Sequence, residues 1–216
     1  MSQTIYCISG LGADEALFRN LALEGYALSC LPWPAFEPGN TLVQYAERLC
    51  AFIEGPAPIL MGVSFGGMLA VEMAKQLDTT RTVLISSITT ADHLPLYYQI
   101  AGALSLTSLV PDRLFNQPNG VLDYLFGVEG TEDQALLHHY LQATDPAYIK
   151  WALDAIIEWD NAIPPPGLIH IHGTNDRLIP YPPTVTHPVQ EGGHFSVFNR
   201  GPEISALISE ALGNID

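Results

Sequence analysis

Short apolar runs alternate along the chain with stretches whose apolar residues recur at helical spacing. The runs Ile5–Ser9, Ala27–Leu31, Ile59–Val63, Thr82–Ile85, Leu168–His172 and Val185–Val189 predict strands. Helices are expected to begin between them near Asp14, Thr41 and Phe65, and a last one to run from about Glu203 to Leu212. In the second, Leu42, Tyr45, Ala46, Leu49 and Phe52 fall on one apolar face. Strands alternating with helices predict βαβ units, hence an α/β fold with a mostly parallel central sheet flanked by helices. Pro164–Pro166 and Pro180–Pro183 mark loops, because a central ladder needs the N–H that proline lacks.

The alternation stops between the fourth and fifth strands. Residues 88–144 read as a helical cap insertion, broken into pieces at Pro118–Gly120 and Gly127–Gly130. Thr131 and Gln134 have capping-box spacing, with Glu132 and Asp133 in the first turn. Asp145-Pro146 then reads as an N-cap followed by proline at the first helical position, opening a helix to about Trp159. The expected organisation is a core of residues 1–87 and 145–216 interrupted by the cap.

Composition narrows the function classes. At 216 residues, 48% hydrophobic and 14% charged, the chain fits one compact domain with a substantial core. A formal charge of -15 with only 8 Lys plus Arg argues against a nucleic-acid partner. Cys7, Cys30 and Cys50 all sit in apolar segments, the pattern of reduced, packed thiols. The first strand starts too early to leave room for a signal peptide, and no apolar run approaches the ~20 residues of a membrane span. A cytoplasmic protein with a small-molecule substrate is the expectation, its oligomeric state left open.

The chemistry concentrates at strand ends. Gly62-Val63-Ser64-Phe65-Gly66 is G-x-S-x-G, placed between an apolar strand and a helix-like run from Gly66 to Met73. That strand–turn–helix setting lifts a serine hydroxyl above the sheet as a nucleophile, and glycines on both sides allow the tight turn. Serine alone reads as an ordinary βα turn and is a poor nucleophile without an adjacent base. Of the seven histidines, His194 in Gly192-Gly193-His194-Phe195 falls just past the last strand, on the edge where Ser64 stands. His187 lies toward the opposite edge; His138, His139 and His93 read as helix or loop residues. Asp176, in Gly173-Thr174-Asn175-Asp176, follows the fifth strand and is the candidate to orient His194, although the same residues would make a plain turn. Backbone N–H groups of Phe65 and of Leu11, in Ser9-Gly10-Leu11-Gly12, are the candidate oxyanion donors.

Two rival sites fall away. Gly10-Leu11-Gly12 could begin a dinucleotide loop, but Glu15 stands where the third glycine belongs and Leu31-Pro32 supplies no ribose-binding acid. His170 and His172 share a strand face, yet no third ligand at recognisable spacing accompanies them. Neither a metal nor another cofactor is expected.

Taken together, the segments Ser9–Gly12, Gly62–Gly66, His172–Asp176 and Gly193-His194 resemble the α/β-hydrolase superfamily, particularly its small carboxylesterase-like members with a helical lid. The resemblance implies strand order 2-1-3-4-5-6, a fold lacking the first two strands of larger relatives, and a lid formed by 88–144. It also implies a Ser64–His194–Asp176 triad hydrolysing an ester or related acyl bond. The sequence departs from many relatives in carrying Ser9 where they have histidine, which leaves the support of the oxyanion loop to be found. Rival readings on the same fold are carbon–carbon bond hydrolysis or lysis, a cofactor-free peroxidase, or a non-catalytic receptor for a small ligand.

Overall fold

The computed structural model of the chain describes residues 2–96, 98 and 117–213. Six strands form one sheet: β1 Gln3–Ile8, β2 Tyr26–Cys30, β3 Ile59–Val63, β4 Arg81–Ile85, β5 Leu168–Gly173 and β6 His187–Val189. Their spatial order is β2-β1-β3-β4-β5-β6, and every adjacent pair is parallel. This is the strand order that the resemblance implies. The strand order reverses at β1, so β1 and β3 lie side by side inside the sheet and present their C-terminal ends together.

The sheet is covered on both faces, and the strands sort their side chains by the period of two. Ile59, Met61 and Val63 of β3 join one core cluster, with Ile5 and Cys7 of β1; Leu60, Tyr6 and Ile8 join the other. Helix α1 (Leu42–Cys50) packs Leu42, Tyr45, Ala46 and Leu49 into the second cluster. Thr41 caps it with a true capping box, in which Thr41 Oγ1 accepts from Gln44 N and Gln44 Oε1 accepts from Thr41 N. Helix α2 (Phe65–Ala74) is buried along its whole length between α1 and the sheet.

Several elements differ from the sequence expectation. The helix near Asp14 is a single 3-10 turn, Glu15–Phe18, capped by Asp14. Phe52 lies outside the α1 face, because the helix ends at Cys50 and the chain turns through Phe52 N→Leu49 O; Phe52 is 43% exposed. The last strand begins at His187 rather than Val185, since Val185 N is drawn into a turn with the Pro182 carbonyl.

Between β4 and β5 the described residues include a short 3-10 turn at Ala91–His93 and helices α3 (Gly120–Phe126), α4 (Thr131–Ala143) and α5 (Pro146–Ile157). Asp145 caps α5 with Pro146 at its first position, as the sequence implies. The expected Thr131–Gln134 box does not form. Gly130 is the N-cap, Asp133 accepts hydrogen bonds from Glu129 N and Gly130 N, and Gln134 instead donates to Asp123 of α3. The chain ends in α6 (Ser196–Asn199) and α7 (Gly201–Gly213). Among the described residues, no helix is long and apolar enough to cross a membrane.

Candidate active site

Ser64 sits between the end of β3 and the start of α2 with φ 53° and ψ -121°. A positive φ at a residue bearing a side chain costs about 1–3 kcal/mol and persists only where the surroundings enforce it. Here they do. A Cβ on Gly62 would collide with the Gly66 carbonyl, and one on Gly66 with the carbonyls of Ile8 and Ser9. The elbow is pinned to β4 by Ser64 N→Ile85 O (3.0 Å) and to the following loop by Ser87 Oγ→Ser64 O (2.7 Å).

The structure brings the three sequence candidates into one hydrogen-bonded line. His194 Nε2 is 2.9 Å from Ser64 Oγ, and His194 Nδ1 is 2.8 Å from Asp176 Oδ2. An ionised carboxylate only accepts, so Nδ1 carries the ring proton and Nε2 is left to accept from the serine hydroxyl. His194 is held from the far side as well. Phe126 stands edge-on to its ring at 5.4 Å, Phe195 N donates to the Phe126 carbonyl, and Gly127 packs directly on Gly193.

Asp176 is buried and its carboxylate is saturated. Oδ1 accepts from Leu178 N and Ile179 N, while Oδ2 faces His194 Nδ1 and, at 3.2 Å, His172 Nε2. Burial alone would raise this carboxyl, but attraction to His194 and hydrogen bonds from both histidines outweigh it and hold the group well below the usual range. The second histidine was not legible as a partner of Asp176. Its shared strand face with His170 could be read, but not the turn of 173–176 that folds Asp176 back over it.

His170, the other member of that pair, donates from Nε2 to the Ser87 carbonyl and pairs through Nδ1 with Thr184 Oγ1. Burial, reinforced by His172, pushes it down to about 4. The unfolded chain therefore takes up this proton first, so stability is lost as pH falls from ~6.5 toward 4. A His170→Gln variant should lose less stability than the parent over that window, by up to about 3 kcal/mol. Urea melts of both proteins at pH 7 and pH 4 check this; parallel losses would contradict it.

Beside Ser64 opens a cavity of about 280 Å³. Its walls include Leu17, Tyr98, Leu122, Phe126, Leu137, Tyr140, Ile149, Leu153, Ile156 and Leu178, with Leu11 and Phe65 next to the serine. No Asp, Glu, Lys or Arg lines it among the described residues. Among the apolar residues of 88–144, Tyr98, Leu122 and Phe126 reach the cavity, Leu94 joins the core, and Leu96 and Tyr124 are exposed. Tyr97, Ile100, Leu104, Leu106 and Phe115 lie outside the described residues. Among the described residues, the N–H groups of Leu11 and Phe65 find no acceptor, Phe65 because it opens α2.

Residues 5–206 match the alpha/beta hydrolase family. The chain belongs to it. Among solved structures this hydrolase-family chain is similar to a thermophilic esterase from Thermogutta terrifontis, with TM-score 0.72 and 13% identity, covering 99% of this chain and 90% of that one. It is also similar to the enol-lactonase from Burkholderia xenovorans LB400, with TM-score 0.68 and 16% identity, covering 99% and 92%. At such identities the likeness speaks for the fold. A stretch of 77 residues is 30% identical to part of tyrocidine synthase 3 from Brevibacillus parabrevis. That stretch is 36% of this chain, which spans about 1% of the length of that relative.

Proposed function

We propose that the protein is a serine acyl hydrolase that cleaves an ester, or related acyl bond, of a small and largely apolar substrate through an acyl-enzyme on Ser64. The observation that carries this reading is the line Ser64–His194–Asp176 opening onto an apolar cavity. Ser64 Oγ attacks the acyl carbon while its proton passes to His194 Nε2, and the Leu11 and Phe65 amides receive the oxyanion. His194 then hands the proton to the leaving alcohol oxygen, and the acyl group stays on Ser64. Water attacks next, gives its proton to His194, and collapse returns that proton to Ser64 as the acid departs. Asp176 stabilises the imidazolium formed at both stages. Its own strong hold on its charge keeps it ionised throughout. Residues 88–144 act as the cap in this reading, since α3 and α4 contribute walls to the cavity.

Turnover of p-nitrophenyl esters tests the activity, and a parallel series of thioesters and vinylogous diketones separates ester hydrolysis from carbon–carbon cleavage. Wild-type protein that binds apolar ligands without turning over any of these substrates would favour a receptor.

The cavity chemistry gives a second expectation. An uncharged acyl group loses little on entering apolar walls, whereas a carboxylate or phosphate would be buried without a partner. Arg177 supplies none, because its guanidinium bonds the Tyr124 carbonyl and stacks on the Tyr124 ring. Specificity constants for neutral esters should exceed those for matched dicarboxylate or phosphorylated esters by at least about a hundredfold. Equal turnover of the anionic series would contradict the apolar-pocket reading.

A further inference from the structure

The oxyanion loop of this chain is not held by a histidine, and the structure shows what holds it instead. Ser9, buried at the end of β1, donates its hydroxyl to the Ala13 carbonyl at 2.7 Å. The indole N–H of Trp33, arriving from the loop after β2, points between the same two groups, 3.0 Å from Ser9 Oγ and 2.9 Å from the Ala13 carbonyl. Ala13 N in turn donates to the Gly10 carbonyl, closing the turn that presents Leu11. These four hydrogen bonds tie both ends of Gly10–Ala13.

The same tryptophan touches the other donor. Its ring stacks on Phe65, with centroids 6.1 Å apart and planes 18° apart, and Phe65 carries the second candidate amide. Trp33 is itself fixed. Tyr45 and Tyr148 pack on its ring, and the Tyr45 hydroxyl donates to the carbonyl of Pro34, the next residue. One side chain therefore touches both the loop after β1 and the first residue of α2, the two segments that carry these N–H groups.

We propose that Trp33, through Ser9, is the positioning residue of the oxyanion hole, holding the Leu11 and Phe65 amides at the separation that one oxyanion requires. This rests on the acyl-hydrolase reading above. Electrostatic stabilisation of this kind depends on donors placed in advance, and losing one donor outright costs roughly 10²–10³ in kcat. A loosened donor should cost less than a lost one.

The test compares wild type, Trp33→Phe and Ser9→Ala, each normalised by active-site titration with a fluorophosphonate. Trp33→Phe keeps a ring over Phe65 and removes the N–H; Ser9→Ala keeps the indole and removes its hydroxyl partner. The expected result for Trp33→Phe is kcat lower by about 10- to 100-fold with KM within about threefold. Affinity for a trifluoromethyl ketone, whose serine adduct places an oxyanion in the hole, should fall by the same factor as kcat/KM. Ser9→Ala should move both quantities in the same proportion by a smaller amount, and it carries the test if Trp33→Phe does not fold. Unchanged kcat and ketone affinity in the folded variants of an active enzyme would overturn the proposal alone. A wild-type protein inert toward both esters and the ketone would overturn the hydrolase reading, and this proposal with it.

Discussion

Ser64→Ala should give a folded protein whose esterase activity is lower by a factor on the order of 10⁴ to 10⁶. The backbone strain at position 64 belongs to the elbow, imposed by Gly62, Gly66 and the bond from Ser64 N to Ile85 O. Alanine can occupy the same φ at the same cost, so the melting temperature should stay within a few degrees. What disappears is the only hydroxyl within hydrogen-bonding distance of His194 Nε2 among the described residues. Without it the covalent route is closed, and only cavity binding and the amide donors remain to assist water. Activity within about tenfold of wild type, measured on a p-nitrophenyl ester, would show that the nucleophile lies elsewhere.

Asp176→Asn comes next in size, with an expected loss in kcat of roughly 10⁴-fold. An asparagine amide turned toward Nδ1 would stabilise the wrong tautomer, leaving a proton on Nε2 where the serine proton must go. The carboxylate also accepts from Leu178 N, Ile179 N and His194 Nδ1 while facing His172 Nε2, which itself donates to the Ile179 carbonyl, and a neutral amide cannot replace it toward all of them. Asp160, the nearest alternative by sequence, is exposed beyond α5, and Asp160→Asn should leave activity within about twofold. Steady-state rates of the two variants decide between them. A comparable loss from Asp160→Asn would contradict the assignment.

The features legible in the sequence are those whose causes are local. Alternating apolar runs announced all six strands, and Thr41 and Asp145 announced two helix starts with cap chemistry confined to four residues. Strand ends could be matched to one edge of the sheet, so Ser64, His194 and Asp176 could be named together before their distances were known. The misreadings also have physical causes. Phe52 continued the helical spacing of α1, but its backbone belongs to the turn after the helix. Thr131 and Gln134 had the right spacing for a box, yet Asp133 reached back to two free N–H groups first, and a carboxylate is the stronger acceptor.

The support of the site was not legible, because it comes from contacts between distant segments. Trp33 meets Ser9 across 24 residues, with no repeating pattern connecting them. Phe126 and Gly127 reach the His194 loop from α3 and the turn that ends it, and nothing near His194 in sequence foretells their arrival. Ser9, standing where the resemblance leads one to expect histidine, implied only that the support of the loop after β1 differs. It could not say which residue provides it.

The role of Ser64 is open to direct test by mass spectrometry of the protein after exposure to a fluorophosphonate. Such a reagent reacts with a serine only where a neighbouring base has activated it. One adduct per chain is expected, mapped to the peptide containing Ser64, absent from Ser64→Ala and strongly slowed in His194→Ala. Failure to label the folded wild type, or labelling at a serine other than Ser64, would contradict it.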